Sequence, residues 1–431
     1  ISRAFFLAMV EVHQRETAEL DRLLLTHYHR EQGEHTPATK GTTQAMPNGE
    51  GSDVVQFVQK IMREAAEMKA SDIHVERYEN QARIRFRWEG QLLEKYEVPA
   101  DQYNAIISRI KIMAELDISE RRLPQDGRIN MRHDGHSIDI RVSTIPGKYG
   151  EKAVLRLLTR SQEHLQLSKL GLSEAEESAY LQAAKSPNGI VLITGPTGSG
   201  KTTTLYATLN LLNQPDKNIL TIEDPIEYNL GGINQVQLKE EIGLTFDRAL
   251  RAFLRQDPDI IMVGEIRDHD TAQIAIRAAL TGHLVLSTLH TNSAWDAITR
   301  LVDMGVEPYL LAAALRLVVA QRLVRILCPH CKQSVDTQPY PELQQTHQIT
   351  HHYQPVGCPR CNYTGHQGRK AVFEILPINK ILGKAIKNGS EAPPDAQSQL
   401  PSLQNNLLGM LKNGEISLEE MVLHVGSGIS G

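Results

Sequence analysis

The sequence lacks any apolar run long enough to cross a bilayer. A spanning helix needs about 20 consecutive apolar residues, and the best candidate, residues 310–317, is short and is interrupted by Arg316. We therefore expect the chain to reach a membrane only through partner proteins. The sequence also has no internal repeat at the spacing of solenoid proteins, which excludes that class of architecture.

An excess of positive charge is missing as well. The formal charge is -5 at pH 7, whereas proteins that bind nucleic acid electrostatically usually carry a strongly basic domain or stripe. We therefore expect no direct contact with nucleic acid. Hydrophobic residues make up 41% and charged residues 23% of the chain, which is the range of folded globular proteins and excludes a disordered or fibrous chain.

The length of 431 residues predicts two or three domains. Residues 1–50 read as part of a helical region followed by a polar linker, 34–51, that is rich in Thr, Gly and Pro. Residues 53–160 combine an amphipathic helix, which Ser52 can cap, with an alternating strand, 82–88. Together with a second helix at 104–114 and strands within 128–157, they predict a compact α+β domain.

Residues 165–431 have a different pattern. Short apolar strands, such as 190–193 and 260–263, alternate with helical segments. This is typical of an α/β domain with a parallel sheet covered on both faces. Helical patterning returns near the C-terminus after a polar loop that contains Pro393 and Pro394.

A glycine-rich segment directly follows the strand at 190–193 and precedes a helical segment. Its residues match the complete P-loop pattern and are Gly195, Pro196, Thr197, Gly198, Ser199, Gly200, Lys201 and Thr202, followed by Thr203. In such a loop the backbone N–H groups approach the phosphates of a nucleotide, Lys201 reaches the β and γ phosphates, and Thr202 can bind Mg²⁺. The alternative is a glycine-rich turn without a ligand. The strand before the loop and the helix after it favour ATP binding.

Two further apolar strands end in acidic residues. The strand at 218–222 leads into Glu223, Asp224 and Glu227, and the strand at 260–263 leads into Gly264 and Glu265. Carboxylates at a strand tip near a phosphate loop can polarise water or hold Mg²⁺, although acidic tips also occur for solvation alone. Two such tips downstream of a P-loop favour a catalytic function.

Histidines stand at both ends of the apolar strand 284–289. They are His283 and His290. A lone histidine is often structural, but a neutral imidazole can accept or donate a hydrogen bond near a γ-phosphate. We predict a sensing role for this pair.

Cysteine is scarce, and all four cysteines fall into two C-x-x-C pairs, Cys328 with Cys331 and Cys358 with Cys361. Such pairs supply four thiolates for a closed, tetrahedral, structural zinc site. Two disulfides are the alternative, but a protein that uses Mg-nucleotide works in the reducing cytoplasm, where thiols stay reduced. Four thiolates leave no open position for a catalytic zinc.

The motifs together resemble those of the type II secretion and type IV pilus assembly ATPases. Residues 195–202, 223–227, 264–268 and 281–291 look like the Walker A, Asp box, Walker B and His box of that family. The resemblance covers residues from about 50 to 375. It implies a RecA-like ATPase core with a smaller PAS-like α+β domain, a zinc-binding insertion at 328–361, and assembly into a homohexameric ring.

The resemblance also implies roles for individual residues. Arg128 and Arg141 lie in matching segments of the smaller domain and are expected to meet the phosphates, with solvation of a strand as the alternative. Glu223 is expected to orient the attacking water and Glu265 to act on Mg²⁺ through solvent, although the two roles could be exchanged. His290 is expected to sense the γ-phosphate in preference to His283.

The function implied is that of a cytoplasmic hexameric motor, with ATP, Mg²⁺ and Zn²⁺ as cofactors. It would drive assembly of a type II secretion pseudopilus or a type IV pilus through an inner-membrane platform and its docking proteins. The tetracysteine site argues for assembly or secretion over retraction, because the family's retraction motors usually lack these cysteines. A DNA-uptake or conjugation motor and an ATP-binding ring scaffold without hydrolysis are the rival functions.

Overall fold

The computed structural model describes residues 44–45, 52–133, 136–159, 165–336, 348–389 and 401–425. The helical region predicted before residue 33 lies outside the described residues. Of the predicted linker, Gln44–Ala45 is described and forms a short strand. The division of the chain into domains stays a prediction.

In the described part of the chain, seven strands form a first sheet. They are β1 Gln44–Ala45, β2 Asp72–Arg77, β3 Ala82–Trp88, β4 Gln91–Val98, β5 Gln125–His133, β6 His136–Ile145 and β7 Lys152–Thr159. The order across the sheet is β1-β4-β3-β2-β7-β6-β5. β1 runs parallel to β4, and the other neighbours are antiparallel.

Two helices, α1 Ser52–Glu67 and α2 Tyr103–Met113, pack against this sheet. In α1 the buried residues recur at steps of three and four, for example Val54, Phe57 and Ile61, so that one helical face meets the core. Buried and partly exposed residues alternate along β3. The predicted helix and the predicted strand 82–88 are both confirmed, and the helix includes Ser52, the residue expected to cap it.

A second sheet contains seven strands among the described residues, and a separate two-stranded hairpin lies beside it. The strands of the sheet are β8 Gly189–Thr194, β9 Ile219–Glu223, β10 Asn234–Gln237, β11 Ile260–Val263, β12 Leu284–Leu289, β13 Leu315–Leu327 and β16 His366–Pro377, and the hairpin consists of β14 Gln333–Asp336 and β15 His351–Gln354. The order is β10-β9-β11-β12-β8-β13-β16. All neighbours are parallel except β13 and β16, which are antiparallel.

Nine further helices occur in the described residues after β7. They are α3 Glu174–Ala184, α4 Lys201–Leu212, α5 Phe246–Phe253, α6 His269–Leu280, α7 Ala294–Asp303, α8 Pro308–Ala314, α9 Lys380–Lys387, α10 Leu403–Lys412 and α11 Leu418–Val425. The core on one face of the second sheet contains Ile190 and Leu192 with residues of α5 to α9. The core on the other face contains Val191 and Ile193 with residues of α3 and α4. This three-layer arrangement confirms the predicted α/β, RecA-like class.

In the described part of the chain, hydrogen bonds join the two sheets at two places. The carboxylate of Glu89, in the turn after β3, accepts hydrogen bonds of 2.6 and 2.8 Å from the backbone N–H of Gly368 in β16. Arg141 in β6 donates from Nη2 to the backbone oxygen of Ile226 at 2.9 Å. The first sheet is thus attached to the edge strand β16 and to the loop that follows β9.

Among the helices of the described residues, none combines the length and the apolar content that a membrane span requires.

Candidate nucleotide site and tetracysteine cluster

The carboxyl ends of four parallel strands, β8, β9, β11 and β12, meet at one edge of the second sheet, which we call the nucleotide edge. Lys201 follows the loop after β8, and Glu223 is the last residue of β9. Glu265 lies just beyond β11, and His290 directly follows β12. Four predicted site residues from distant parts of the sequence are therefore brought together, as expected for ligand sites in open α/β sheets.

Residues 195–200 form the loop between β8 and α4, and Lys201, Thr202 and Thr203 begin the helix. Gly195 has a φ of 149°, and a Cβ atom there would lie 2.4 Å from the backbone oxygen of Gln321. Gly200 has a φ of 89°, and a Cβ atom there would lie 2.9 Å from Nε2 of Gln321. The loop therefore needs glycine at both positions, for conformation and for space.

Lys201 is folded onto its own loop. Its Nζ donates to the backbone oxygens of Gly195 at 2.7 Å and Pro196 at 3.1 Å. Burial lowers the pKa of Lys201 to about 8, a shift that Glu265 opposes and that Arg322 reinforces. The ammonium group remains charged at neutral pH and is available to phosphate oxygens.

Glu223 is buried, with 3% of its surface exposed, and its carboxylate is surrounded by donors. Oε1 accepts hydrogen bonds from Thr221 Oγ1 at 2.6 Å and from Gln235 Nε2 at 3.0 Å. The hydroxyl of Tyr206, in α4, donates to Oε2. Burial and the charge of Glu223 raise the pKa of Tyr206. Both oxygens of Glu223 are thus engaged by protein groups.

Glu265 has a more open environment. Its Oε2 lies 3.2 Å from Nε2 of His290, whose side chain is half-exposed, and its other oxygen pairs with Arg267. Arg267 also lies 3.8 Å from the carboxylate of Asp224. The hydrogen bond that Arg267 donates to Glu265 raises the pKa of the Arg267 guanidinium. Glu265 and His290 form a contacting pair at the solvent side of the nucleotide edge.

His283 stands at the opposite end of β12. Its Nδ1 lies 3.0 Å from the backbone oxygen of Ala278 at the end of α6, and its backbone oxygen accepts from Gly189, the first residue of β8. The length of β12 separates it from His290 by roughly 20 Å. Within one chain the structure does not bring His283 to the P-loop.

Arg128 and Arg141 face each other across the pairing of β5 and β6. Both line a cavity of about 560 Å³ that also contacts Pro225. Besides Ile226, Arg141 meets the carboxylate of Glu227 at 3.5 Å. These arginines are therefore placed beside the segment that follows Glu223, and not against Lys201 of the same chain.

Sequence reasoning missed several polar residues behind the P-loop. Gln321 in β13 is buried, donates from Nε2 to the backbone oxygen of Ser199 at 2.8 Å, and accepts from Thr204 Oγ1 at 2.8 Å. The neighbouring Arg322 is also buried. Two adjacent polar residues in the middle of a mostly apolar strand were the available signal. The role of Tyr206, within an ordinary helical segment, left no such signal.

The four cysteines lie together immediately after β13 and before β16. Their sulfur atoms are all within 4.8 Å of one another, and neighbouring Sγ atoms are 3.8 to 3.9 Å apart. Disulfide sulfurs would lie about 2.05 Å apart, so the arrangement is not that of two disulfides. The backbone N–H groups of Gly357 and Gly365 donate to Cys331 and Cys361, respectively.

This donor set fits a zinc ion. Four thiolates bound at about 2.3 Å in a tetrahedron would lie about 3.8 Å from one another, close to the separations observed here. His330 is exposed and contacts Arg360 outside the cluster. The cysteines alone therefore supply a complete set of ligands.

Comparison with known proteins assigns the chain to a family. The model of the type II/IV secretion system protein family matches residues 48–423. The chain belongs to the type II/IV secretion system protein family. It is 42% identical to the type II secretion system ATPase E of Vibrio cholerae, covering 96% of this chain and 84% of that protein.

Other relatives of the family come from pilus systems. The chain is 49% identical to the type IV pilus assembly ATPase PilB of Myxococcus xanthus, covering 86% of this chain and 67% of that protein. The crystal structure of the pilus retraction motor PilT with bound ADP is 28% identical with a TM-score of 0.59, covering 85% of this chain and 96% of that one. The family resemblance predicted from the motifs is confirmed.

Proposed function

We propose that this chain is the ATP-hydrolysing subunit of a motor that assembles a type II secretion pseudopilus or a type IV pilus. The observation that carries the proposal is the convergence of the P-loop, Glu265 and His290 at the nucleotide edge of a member of the secretion ATPase family. Its relatives in both kinds of machine are ATPases by name.

The P-loop would hold the phosphates of ATP. Its backbone N–H groups and the start of α4 favour negative charge, and the ammonium of Lys201 would leave the loop oxygens for the β and γ phosphates. Thr202 is exposed at the start of α4, where its hydroxyl could bind Mg²⁺. The bound ion would neutralise phosphate charge.

The contacts favour an exchange of the roles expected for the two glutamates. Glu223 is buried and accepts three hydrogen bonds, so protein groups already occupy both of its oxygens and neither is free to hold a water molecule. Glu265 is more accessible and touches His290. We propose that Glu265 orients the attacking water, that His290 senses the γ-phosphate through this pair, and that Glu223 holds Tyr206 and the segment after β9 in place.

The first sheet would complete the motor. We propose that Arg128 and Arg141 approach the nucleotide when the two sheets move relative to each other, and that the site closes between them within a homohexamer. A guanidinium fork suits phosphate oxygens. Movement of this kind would transmit hydrolysis to an inner-membrane platform, with the motor on the cytoplasmic side.

We also propose that the tetracysteine cluster binds structural zinc. The cluster lies between the end of β13 and the start of β16. A closed set of four thiolates would stabilise that connection without taking part in catalysis.

The proposal is tested by measuring Mg-ATP hydrolysis over a range of protein concentrations, with light-scattering mass on the same samples. The wild type should show turnover that rises as hexamers form. Lys201→Ala should form the same oligomer with at least about a hundredfold lower turnover, because the charge on the β and γ phosphates loses its fixed cation. Turnover from a stable monomer would contradict the ring, and a hexamer without turnover would contradict the motor.

A further inference from the structure

Arg322 is among the largest fully buried side chains among the described residues, with 1% of its surface exposed. Its guanidinium donates from Nη2 to the backbone oxygen of Asn292 at 2.7 Å and from Nη1 to the backbone oxygen of Gln321 at 3.3 Å. Among the residues that the structure describes, its Nε is buried without a hydrogen-bond partner. The acceptors that this cation meets there are neutral oxygens.

The guanidinium lies directly behind the P-loop. β13 pairs with β8 so that Ala320 stands opposite Thr194, the residue before the loop. A Cβ atom on Gly195 would lie 3.4 Å from Nη1 of Arg322. Arg322 also lowers the pKa of Lys201 by charge repulsion, which shows that its field reaches the position of the phosphate-binding ammonium.

The charge of Arg322 is poorly compensated. Within the described part of the chain no carboxylate lies within 4.0 Å of it, and the acidic residue with the strongest influence on it is Glu374 of the neighbouring strand β16. Burying a cation without a carboxylate partner is costly. An anion bound in the loop would offset that cost. Dissolved salt would weaken this attraction little, because it screens a buried charge only weakly.

We propose that Arg322 is a determinant of nucleotide affinity: a buried positive charge behind the P-loop that attracts the phosphates of ATP without touching them. The inference rests on the proposed ATP site at Lys201. β13 then contributes to nucleotide binding through two residues. Gln321 shapes the loop through its contacts with Ser199 and Thr204, and Arg322 supplies positive charge from behind the loop. The competing role is structural: the hydrogen bond from Arg322 to Asn292 would hold β13 against the loop that follows His290.

Charge and hydrogen bonding are separated by two substitutions at this position. Arg322→Gln removes the charge and keeps an amide donor, whereas Arg322→Lys keeps the charge and loses the two-pronged geometry. We measure dissociation constants of a fluorescent ATP analogue with Mg²⁺ for the full chain, and KM and kcat for Mg-ATP hydrolysis. Arg322→Gln should weaken binding by about tenfold or more and raise KM more than it lowers kcat. Arg322→Lys should stay within about threefold of wild type.

Glu374→Gln provides a second test with the opposite sign. Its carboxylate accepts from the backbone N–H groups of Ala294 at 3.0 Å and Leu403 at 3.4 Å, and the amide oxygen of glutamine retains one of these bonds. Removing the negative charge should tighten binding of the analogue by a few-fold. This variant and Arg322→Lys also decide the matter if circular dichroism shows that Arg322→Gln does not fold.

The outcomes separate the inference from the function on which it rests. If the wild type fails to bind the analogue, the ATP site itself is overturned. If the wild type binds and Arg322→Gln binds equally well, only the inference fails. Equal losses of affinity in Arg322→Lys and Arg322→Gln would establish the structural role through Asn292 and overturn the role of charge. Weaker binding by Glu374→Gln would also overturn the role of charge.

Discussion

At the scale of single residues, the two glutamates of the nucleotide edge differ in their surroundings more than in their positions. Glu223 is buried among Thr221, Gln235 and Tyr206, whereas Glu265 contacts His290 at the solvent side. A residue that orients water needs an accessible oxygen, and a residue that organises a segment needs satisfied hydrogen bonds. These contacts support the proposal that the two chemically identical groups have different tasks.

We expect Glu265→Gln to lower kcat by about 10²- to 10⁴-fold while leaving binding of a fluorescent ATP analogue intact, because the amide cannot accept a proton from water. Glu223→Gln should lower kcat by at most about tenfold and should reduce thermal stability, because one hydrogen bond to a buried carboxylate is lost. Hydrolysis and analogue binding are measured on both variants.

Glu174→Gln serves as the matched control, since this glutamate is exposed in the first turn of α3 and carries the same change of charge. It should match the wild type. Normal turnover in Glu265→Gln with an inactive Glu223→Gln would reverse the assignment and restore the roles first expected from the sequence.

Motif residues were accessible to sequence reasoning because each follows an apolar strand, and parallel strands bring their carboxyl ends to one edge. That logic located Lys201, Glu223, Glu265 and His290 together. His290, preferred over His283 from the family resemblance, follows the carboxyl end of β12, whereas His283 precedes its amino end. Spacing could not reveal that Tyr206 would bond Glu223, because that contact depends on the packing of α4 against β9.

At the scale of elements, β13 connects the P-loop to the tetracysteine cluster. Gln321 contacts the loop near the middle of the strand, and Cys328 follows its last residue. The pairing of β13 with β16 was not predicted, because an antiparallel edge on a parallel sheet depends on tertiary context that periodicity does not contain. Helix α1 was predictable, since its apolar face alone specifies it.

We expect removal of zinc, by a chelator or by Cys361→Ser, to loosen the end of β13 while sparing the P-loop. Hydrogen exchange should rise in β14, β15 and the start of β16, and the thermal midpoint should fall, because four thiolates no longer share one ion. Binding of the ATP analogue should stay within about threefold of wild type, since the contacts of Gln321 lie beyond the cluster.

Metal analysis of the untreated protein provides the reference and should give one zinc per chain. Ser334→Ala, an exposed position in β14, controls for substitution in the same region and should retain the metal. Full zinc content with no change of exchange in Cys361→Ser would contradict a four-cysteine site.

At the scale of the whole molecule, the contact of Glu89 with Gly368 ties the first sheet to the strand that leaves the tetracysteine cluster. Burial raises the pKa of Glu89, an effect that the N–H of Gly368 and the charge of Arg369 oppose. On the other side Arg141 meets Ile226 and Glu227. A movement that brings Arg141 toward a nucleotide must therefore either break one of these two attachments or use it as a pivot.

We expect Glu89→Ala to free the first sheet at the β16 attachment. The backbone N–H of Gly368 would lose its partner, so deuterium uptake in peptides covering residues 366–372 should rise, while uptake around Ile226 should stay unchanged. Glu79→Ala, an exposed position in the turn before β3, is the control and should leave both regions as in the wild type. Increased uptake around Ile226 alone, or no change at Gly368, would contradict an attachment at Glu89. The contact also holds the two sheets in one relative orientation. Its loss should therefore change KM for Mg-ATP, in a direction set by which orientation binds the nucleotide more tightly.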